Sequence, residues 1–282
     1  MTRTLITGAS GFAGRHLVDH LRATTDWELW ALGRSSQPDL DSVRADLLDR
    51  AAVASAVAQV QPDIVVHLAA QSFVPTSFED PADTFNTNVL GQLHLLQAIA
   101  AAKLDPLVLV ISSNEVYGMV QPDDIPVAEK TPLRPASPYA VSKAAQDLLA
   151  GQWFYSHKLR VIRVRPFNHI GPGQKAQFAA PAFARQIARI ELGLQPPVVQ
   201  VGNLEAQRDF TDVRDIVSAY HLALLHGEPG AIYNVGSGEP VAIRTILERL
   251  IGLSAVPITT VSYTHLRAHE TKANLVCRLL LE

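Results

Sequence analysis

A glycine-rich loop between a short apolar strand and an amphipathic helix constrains this sequence more than any other feature. The loop spans Gly8 to Gly14, with Ser10, Phe12 and Ala13 between its glycines, and it follows a predicted strand at residues 3–7. Gly8 permits a tight turn, Gly11 lets the backbone approach a pyrophosphate, and Gly14 permits close helix packing. The start of the helix adds free N–H groups and a positive dipole end. The pattern predicts a dinucleotide site, and the alternative is a plain glycine-rich turn.

The first half of the chain alternates between strand and helix patterns. Strands are predicted at residues 27–32, 43–45, 64–68, 107–111 and 159–164, and helices at residues 51–59, 85–99 and 137–157. This alternation predicts an α/β fold with a doubly wound parallel sheet and helices on both faces, as in Rossmann domains.

The pattern changes after Pro166. Residues 166–173 are rich in Pro and Gly and predict a loop, followed by helices at 179–193, 212–225 and 243–253 and strands at 198–201 and 231–235. This part is expected to form a smaller substrate-binding cap over the carboxyl edge of the sheet, where doubly wound folds bind ligands. We assign 1–168 and 211–236 to the dinucleotide-binding domain, and 169–210 and 237–261 to the cap.

Charge and composition exclude several other classes. The formal net charge is −3, 18% of the residues are charged, and Cys277 is the only cysteine, which rules out an internal disulfide. No apolar run reaches the roughly 18 residues of a membrane span, and no signal peptide is evident. We therefore expect a cytoplasmic protein without nucleic-acid or membrane partners.

Residues 262–282 differ in character from the rest of the chain. The segment is similar to translated adapter read-through and is interpreted as a non-native tail, the alternative being a genuine amphipathic terminal helix. His265 and His269 lie one helical turn apart within it. They lack a third candidate ligand, so no metal site is predicted.

The end of the second predicted strand distinguishes the two nicotinamide dinucleotides. NAD sites place an acid there for the ribose hydroxyls. This chain has Arg34, Ser35 and Ser36 instead. Because a guanidinium makes paired charge-assisted bonds to a phosphate, the sequence favours NADP(H) over NAD(H), unless Arg34 is simply a solvated surface residue. Asp46 could accept from the adenine amino group or could act only in a turn.

A tyrosine and a lysine one helical turn apart form the candidate catalytic pair. In Tyr139-Ala-Val-Ser-Lys143 both side chains share a helix face, and a nearby ammonium would lower the phenol pKa towards neutrality. Such a phenol can give or take a proton, although the pair could also lie on a plain surface. Ser113, at the end of the fifth predicted strand, could bond the substrate oxygen. Glu115 has three open roles: a C–H proton base, a ligand to sugar hydroxyls, or a turn acid.

Several longer segments make a family resemblance specific. The chain resembles the extended short-chain dehydrogenase/reductase superfamily, also described as the NAD-dependent epimerase/dehydratase family, whose members modify nucleotide sugars. The resemblance covers about residues 1 to 258. Within the superfamily, the chain is similar to the branch that acts on GDP-sugars. The resemblance rests on the segments TGASGFAG, HLAAQS, NTNVLGQLHLL, SSNEVYG, YAVSK, RPFNHIGPGQ and RDFTDVRD.

The resemblance implies roles for individual residues. It assigns catalysis to Ser113, Tyr139 and Lys143, with Glu115 at the position of the proton-abstracting glutamate of the related dehydratases. Arg208 is similar to the arginine that holds the nucleotide diphosphate, with a salt bridge to Asp209 or Asp212 as the alternative. Further cofactor contacts are expected at Leu47, Leu68, Ala69, Ala70 and Pro166, and substrate contacts at Ser72, Asn114, Asn168, Gln174, Lys175 and Arg185.

Three functions follow as expectations. The first is an NADP(H)-dependent reductase that converts a GDP-4-keto-6-deoxy hexose to GDP-6-deoxy-D-mannose (GDP-rhamnose). The second is a GDP-mannose 4,6-dehydratase, a lyase that uses tightly held NADP+. The third is a non-catalytic cofactor-binding homologue. The resemblance also implies a homodimer, formed through the two long helices of the first half. Relatives continue beyond the last cap helix with segments that help to close the nucleotide pocket. In this chain residues 262–282 stand in their place.

Overall fold

The computed structural model describes residues 1–37 and 39–262. The predicted strands and helices lie within this range, whereas His265, His269 and Cys277 lie outside the described residues. The strands are β1 (Arg3–Thr7), β2 (Glu28–Gly33), β3 (Asp41–Arg44), β4 (Ile64–His67), β5 (Leu107–Ile111), β6 (Val161–Pro166), β7 (Asn168–Ile170), β8 (Val198–Val201), β9 (Gln207–Asp212), β10 (Ile232–Val235), β11 (Pro240–Ala242) and β12 (Thr259–Ser262).

Seven of these strands form one parallel sheet. Its order is β10-β6-β5-β4-β1-β2-β3, and every neighbouring pair is parallel. The predicted doubly wound sheet is therefore confirmed. The chain runs from β1 outward to β3 on one side and then restarts at β4 on the other. This reversal opens a crevice at the carboxyl ends of β1 and β4, where ligands bind in folds of this kind.

Helices cover both faces of the sheet. They are α1 (Phe12–Thr24), α2 (Arg50–Val60), α3 (Val74–Glu79), α4 (Pro81–Phe85), α5 (Gly91–Ala101), α6 (Pro138–His157), α7 (Ala179–Glu191), α8 (Val213–His226) and α9 (Ile243–Gly252). One buried cluster joins the sheet to α2, α5 and α6, and a second joins its other face to α1 and α8. Burial of these apolar faces is the main force that holds the layers together.

Side-chain caps explain where three of these helices begin. Asp49 accepts hydrogen bonds from two backbone N–H groups at the start of α2, Ser137 accepts from Ala140 N–H, and Asp212 accepts from Arg214 N–H. Pro138 occupies the first position of α6, where a proline costs no helical hydrogen bond. The predicted starts at Ser137 and Asp212 are thus confirmed.

One local prediction is confirmed with a change and another is wrong. The helix expected over residues 85–99 is present, but it includes a π-helical turn at Asn86–Leu90, which joins α4 to α5. The Asn88 amide on this turn donates to the Gln71 carbonyl and to the Ser142 hydroxyl. The expected loop at 166–173 contains β7, which pairs with the distant β9. Long-range pairing of this kind leaves no local periodicity to detect.

The last third of the described chain has its own small core. The helices α7 and α9 pack with β8 around Phe183, Ile187 and Leu247, and β12 pairs with β8. This cluster corresponds to the predicted cap, whose exact division from the larger domain stays a prediction. Within residues 1–37 and 39–262, no helix is both long and apolar enough to cross a membrane.

Candidate active site

The glycine loop lies at the carboxyl end of β1, in the crevice of the sheet. Gly8 has a φ of +75°, which favours glycine. A Cβ on Gly14 would stand 2.1 Å from the Gly8 carbonyl oxygen, so only glycine fits there. The residue that precedes α1 is Gly11, which provides no side-chain cap, and the first turn holds no acid. The N–H groups at this helix start are therefore available to an anionic ligand.

A cavity of about 710 Å³ extends from this loop across the ends of β2 and β3. It connects the phosphate-binding loop with the residues that distinguish the two dinucleotides, and the lack of side chains on Gly8 and Gly11 leaves room for a pyrophosphate. The predicted site residues that line it are Gly8, Ser10, Gly11, Phe12, Arg34, Ser35, Asp46, Leu47, Leu68, Ala69, Ala70, Ser72 and Lys175. These residues fit an extended dinucleotide.

Asp46 serves the turn after β3 as well as the cavity. Its carboxylate accepts a hydrogen bond of 2.9 Å from Leu48 N–H. Both roles considered for this residue are thus compatible with its position. Arg34 and Ser35 are exposed at the same end of the cavity, where the guanidinium can meet a phosphate without the cost of a buried charge.

A second cavity, of about 400 Å³, adjoins the first and shares the glycine loop with it. The predicted site residues in its lining are Gly8, Gly11, Phe12, Ala13, Gly14, Leu68, Ala70, Ser72, Ser113, Asn114, Glu115, Tyr139, Lys143, Pro166, Asn168 and Gln174. The topology thus brings together residues that are far apart in the sequence, because β5, α6 and β6 all deliver their ends to the same edge of the sheet.

The strand end and the helix start position the candidate catalytic groups. Ser113 follows β5, and its hydroxyl accepts a hydrogen bond of 3.1 Å from Glu115 N–H, which starts a short 3₁₀ turn. The cap at Ser137 fixes the first turn of α6 and with it Tyr139. Both elements pack in the buried core, so the site is built on regular structure at its base.

The Tyr139 phenol differs from the sequence-based expectation. Burial raises the pKa of Tyr139 to about 12; a hydrogen bond with Ser113 opposes this rise and the Glu115 carboxyl adds to it. The expected lowering of the Tyr139 pKa is wrong for this structure, because desolvation of the phenolate is the largest effect on it. At neutral pH Tyr139 therefore carries its proton and can donate it.

Lys143 is enclosed beneath the second cavity. Its ammonium donates to the Ile111 carbonyl at 2.6 Å and to the Gln146 side-chain oxygen at 2.7 Å. Burial lowers the pKa of Lys143 to about 7, while the Asp147 carboxylate opposes the shift. The lysine is thus held at a defined place by two oxygen acceptors.

Several polar groups face the second cavity. Burial raises the pKa of the Glu115 carboxyl, and the charge of Arg208 opposes that rise. Among the described residues, the Asn114 amide nitrogen, the Asn168 amide oxygen and the Gln174 amide oxygen are buried atoms without a hydrogen-bond partner. Buried polar atoms normally have partners, so these three are suited to a polar ligand.

Two predicted contacts lie outside both cavity linings. Arg185 is exposed on α7, and nothing in its position supports its assignment. Arg208 is partly buried on β9 and acts electrostatically on Glu115. Of the two carboxylates considered as its alternative partners, Asp212 is bound by Arg214 at 2.7 Å, and Asp209 accepts from Ser237 and Gly238.

The sequence reasoning missed several residues around the site. His169 stacks on Phe12 with ring centroids 5.9 Å apart, and Phe178 meets Phe73 edge to face. His67 and Gln146 lie beneath the cavity in a buried polar network. Gln146 had a usable signal, since it stands three residues after Lys143 and so shares its helix face.

The fold and the site together define a class. The extended short-chain dehydrogenases/reductases share four features with this structure. These are a doubly wound sheet, a glycine loop after its first strand, a Tyr-Lys pair on the helix that corresponds to α6 and a serine after the strand that corresponds to β5. Residues 5–274 match the family model described as GDP-mannose 4,6 dehydratase, and the chain belongs to this family.

Individual relatives agree with this assignment. The chain is 44% identical to the GDP-6-deoxy-D-mannose reductase of Pseudomonas aeruginosa over 92% of its length and 82% of that protein. The structure of RMD from Pseudomonas aeruginosa complexed with NADPH is 43% identical, with a TM-score of 0.84 over 93% of this chain and 85% of that one. The UDP-glucose 4-epimerase of Thermus thermophilus, in complex with NAD, is 30% identical, with a TM-score of 0.85 over 98% and 90% of the two chains.

Proposed function

We propose that this protein is an NADP(H)-dependent reductase that converts a GDP-4-keto-6-deoxy hexose to GDP-6-deoxy-D-mannose. The observation that carries the proposal is the meeting of Ser113, Tyr139 and Lys143 in the lining of the second cavity beside the glycine loop, where burial raises the pKa of the Tyr139 phenol to about 12. A protonated phenol is an acid, which a ketone reduction requires. The 44% identity to a GDP-6-deoxy-D-mannose reductase supports the same choice.

The larger cavity is the proposed NADP(H) site. The N–H groups at the start of α1 would bind the pyrophosphate, and Arg34 with Ser35 would bind the 2′-phosphate of the adenosine ribose. The nicotinamide end would extend into the adjoining second cavity, where Lys143 would bond the nicotinamide ribose. When bound, the dinucleotide supplies the hydride that reduces the C4 ketone.

Proton transfer falls to Tyr139. As the C4 carbonyl is reduced, its oxygen becomes an alkoxide, and the Tyr139 phenol gives that oxygen a proton. The Ser113 hydroxyl, which is hydrogen-bonded to Tyr139 in this structure, would turn its single proton towards the same substrate oxygen and donate to it. Lys143, in the same cavity lining, is proposed to favour the phenolate that is left, until a proton from solvent restores the phenol. The product is an alcohol at C4.

The remaining cavity groups are assigned to the GDP-sugar. Asn114, Asn168 and Gln174 offer the buried polar atoms that sugar hydroxyls and phosphates can pair with. Arg208 is proposed for the diphosphate, because a guanidinium makes paired bonds to phosphate oxygens. Lys175, exposed beside the larger cavity, is a weaker candidate, and Arg185 stays a prediction without a cavity contact.

A GDP-mannose 4,6-dehydratase is the second candidate, favoured by the presence of the Glu115 carboxyl in the cavity lining. In that reaction Tyr139 would take the C4 hydroxyl proton, and the bound dinucleotide would supply a hydride acceptor and donor. Glu115 would remove the C5 proton and pass it to the C6 hydroxyl, which leaves as water, and C5 would regain a proton from Tyr139 when hydride is added at C6. The family model that matches the chain carries the dehydratase description.

Two incubations separate the candidates. Purified protein is mixed with GDP-4-keto-6-deoxymannose and NADPH, and separately with GDP-mannose and NADP+. Oxidation of NADPH in the first mixture alone supports the reductase, whereas formation of a 4-keto sugar in the second supports the dehydratase. If NADPH binds but neither mixture reacts, the chain is a non-catalytic homologue.

Glu115→Gln is the finer test. The amide keeps the size of the side chain but removes the proton-abstracting group. A reductase should retain its kcat within about tenfold, whereas a dehydratase should lose about 10²-fold or more, the usual contribution of a general base. Glu79→Gln, on the exposed end of α3, is the matched control.

We further propose a cytoplasmic homodimer. Val141, Leu148 and Tyr155 are exposed at seven-residue intervals on α6, which places them on one helix face. Phe85 and Leu90 are exposed on the preceding helical segment. An apolar face of this kind is suited to an identical face on a second copy. Sedimentation equilibrium tests the proposal, and Leu148→Glu should shift the protein to a monomer.

A further inference from the structure

A buried polar network runs beneath the two cavities from the glycine loop to Lys143. Thr7, which precedes Gly8, places its hydroxyl oxygen 2.8 Å from His67 Nδ1. His67 Nε2 lies 3.3 Å from the Gln146 amide nitrogen, and the Gln146 amide oxygen accepts from Lys143 at 2.7 Å. Apart from Lys143, which is 4% exposed, these residues are at most 1% exposed.

The orientation of the Gln146 amide follows from its partners. The Lys143 ammonium can only donate, so the amide oxygen of Gln146 must face it. The amide nitrogen then donates to Gln92 Oε1 at 2.9 Å, and the Gln92 amide nitrogen donates to the Gln146 carbonyl at 2.8 Å. A flipped amide would set donors against the ammonium. The amide is therefore held in one orientation.

The same logic fixes the histidine. With an N–H of Gln146 pointing at it, His67 Nε2 must accept, so the ring proton sits on Nδ1 and is donated to the Thr7 oxygen. The Thr7 oxygen also accepts from Ala69 N–H at 3.2 Å. Burial and the Lys143 charge lower the pKa of His67 to about 3, in agreement with a neutral ring.

We propose that Gln146 is a positioning residue that sets the place and the proton affinity of Lys143, and that His67 fixes the Gln146 amide from the glycine-loop side. The proposal rests on the proposed function, because the role of Lys143 in holding the cofactor belongs to it. The network joins two sites proposed for one dinucleotide: the glycine loop that follows Thr7, proposed for the pyrophosphate, and the Lys143 ammonium, proposed for the nicotinamide ribose.

Groups on three elements act on the Lys143 ammonium or bond it in the described part of the chain. Asp147, on the same helix, raises its proton affinity; His67, on β4, faces it through Gln146; and Ile111, at the end of β5, supplies a backbone oxygen. Gln146 is the neutral side chain among them that bonds Lys143 directly. Changing its charge therefore changes the pKa of Lys143 in a direction that can be stated beforehand.

The test compares two substitutions of Gln146 with substitutions at three other positions, and it needs no cofactor. Lys143 is followed by NMR in protein labelled at the lysine side chains, with Lys143→Met to identify its signal. Gln146→Met removes the acceptor and should lower the pKa of Lys143 by about one unit, and Gln146→Glu should raise it by about one unit. His67→Leu should shift it in the direction of Gln146→Met. Gln152→Met, an exposed position on the same helix, should leave it unchanged.

Kinetics provide the second readout. Gln146→Met should lower kcat about tenfold while the KM for the keto sugar stays within about threefold, since Gln146 lies beneath the cavity and not in its lining. The pH profile of Gln146→Glu should move to higher pH by the shift that the lysine shows. Gln146→Glu keeps the size and polarity of the side chain, so it tests the proposal if Gln146→Met does not fold.

Opposite pKa shifts in the two Gln146 variants support the proposal. An unchanged pKa of Lys143 in folded variants overturns it, whatever happens to activity, because Gln146 would then be only a packing residue. If the wild-type protein fails to oxidise NADPH with the keto sugar, the proposed function fails, and the lysine titration still decides whether Gln146 sets Lys143.

Discussion

The Arg165 guanidinium binds both carboxylate oxygens of Asp147, through Nε at 2.8 Å and Nη2 at 3.0 Å. Both residues are buried, and this ion pair ties α6 to β6 directly beneath the catalytic end of the helix. Arg165 also donates to the Tyr117 hydroxyl at 2.9 Å and to the Glu129 carbonyl at 3.0 Å. The pair thus joins α6, which carries Tyr139 and Lys143, to β6, which ends at Pro166 in the lining of the second cavity.

Removal of Asp147 is expected to destabilise the fold strongly. Asp147→Ala leaves the Arg165 charge buried without its partner, which should lower the free energy of unfolding by about 3–5 kcal/mol. Urea denaturation measures the change. Asp124→Ala breaks the more exposed pair with Arg134 and should have a much smaller effect. Equal effects of the two substitutions would contradict a special role for the buried pair.

Gly14→Ala should disrupt the phosphate-binding loop. The added Cβ would stand 2.1 Å from the Gly8 carbonyl oxygen, so the loop must move away from its present position. We expect NADPH affinity to fall at least about tenfold and the protein to lose about 1–3 kcal/mol of stability. Fluorescence titration and thermal unfolding measure the two effects. Gly252→Ala, which meets no atom within 4 Å, is the control; normal NADPH binding by Gly14→Ala would refute the proposed loop function.

Tyr139→Phe should abolish most of the reductase activity. Loss of the phenol removes the proton donor, and a general acid contributes about 10²–10⁴-fold to a rate. The dissociation constant of NADPH should change little, since the ring is kept. Steady-state kinetics measure the loss, with Tyr155→Phe on the exposed part of α6 as the matched control. A kcat within a few fold of the wild type would rule out Tyr139 as the acid.

Arg34→Ala should change the choice of dinucleotide. Two charge-assisted hydrogen bonds to a 2′-phosphate would be lost, which corresponds to about a tenfold or greater weakening of NADPH binding. NADH lacks this phosphate, so its affinity should stay within about twofold. Arg44→Ala, exposed on β3 and outside the cavity lining, should alter neither. Parallel weakening of NADPH and NADH would show that Arg34 does not read the phosphate.

The neutral state of His67 predicts a dependence of stability on pH. Its pKa falls from 6.5 to about 3 on folding, so the unfolded chain takes up a proton that the folded chain excludes. The stability that the neutral His67 ring contributes to the folded state is fully present above pH 6.5 and is lost as the pH falls towards 3. At pH 5 the loss is about 2 kcal/mol. His67→Gln should flatten the stability curve between pH 7 and pH 5 by this amount, and an unchanged slope would show that His67 is not the group responsible.

Local patterns determined much of this protein. The glycine spacing, the strand–helix alternation and the caps at Ser137 and Asp212 predicted the parallel sheet and most element positions, because capping, apolar periodicity and glycine freedom act over a few neighbouring residues. They also selected Ser113, because it follows a strand at the carboxyl edge of the sheet, and Tyr139 and Lys143, because one helical turn of spacing puts both on one helix face. The match to the GDP-sugar family rests on longer segments of the same kind.

Tertiary structure decided the properties that depend on enclosure and distant partners. Burial raises the pKa of Tyr139, whereas the spacing to Lys143 predicts a lowered one. The sequence could not predict this rise, because no sequence pattern reports how completely a phenol is desolvated. The pairing of β7 with β9 and the π-helical turn at Asn86–Leu90 depend on contacts with remote segments. The Thr7–His67–Gln146–Lys143 network likewise exists only once β1, β4 and α6 are packed together, since hydrogen-bond geometry is set by the folded backbone and not by spacing along the chain.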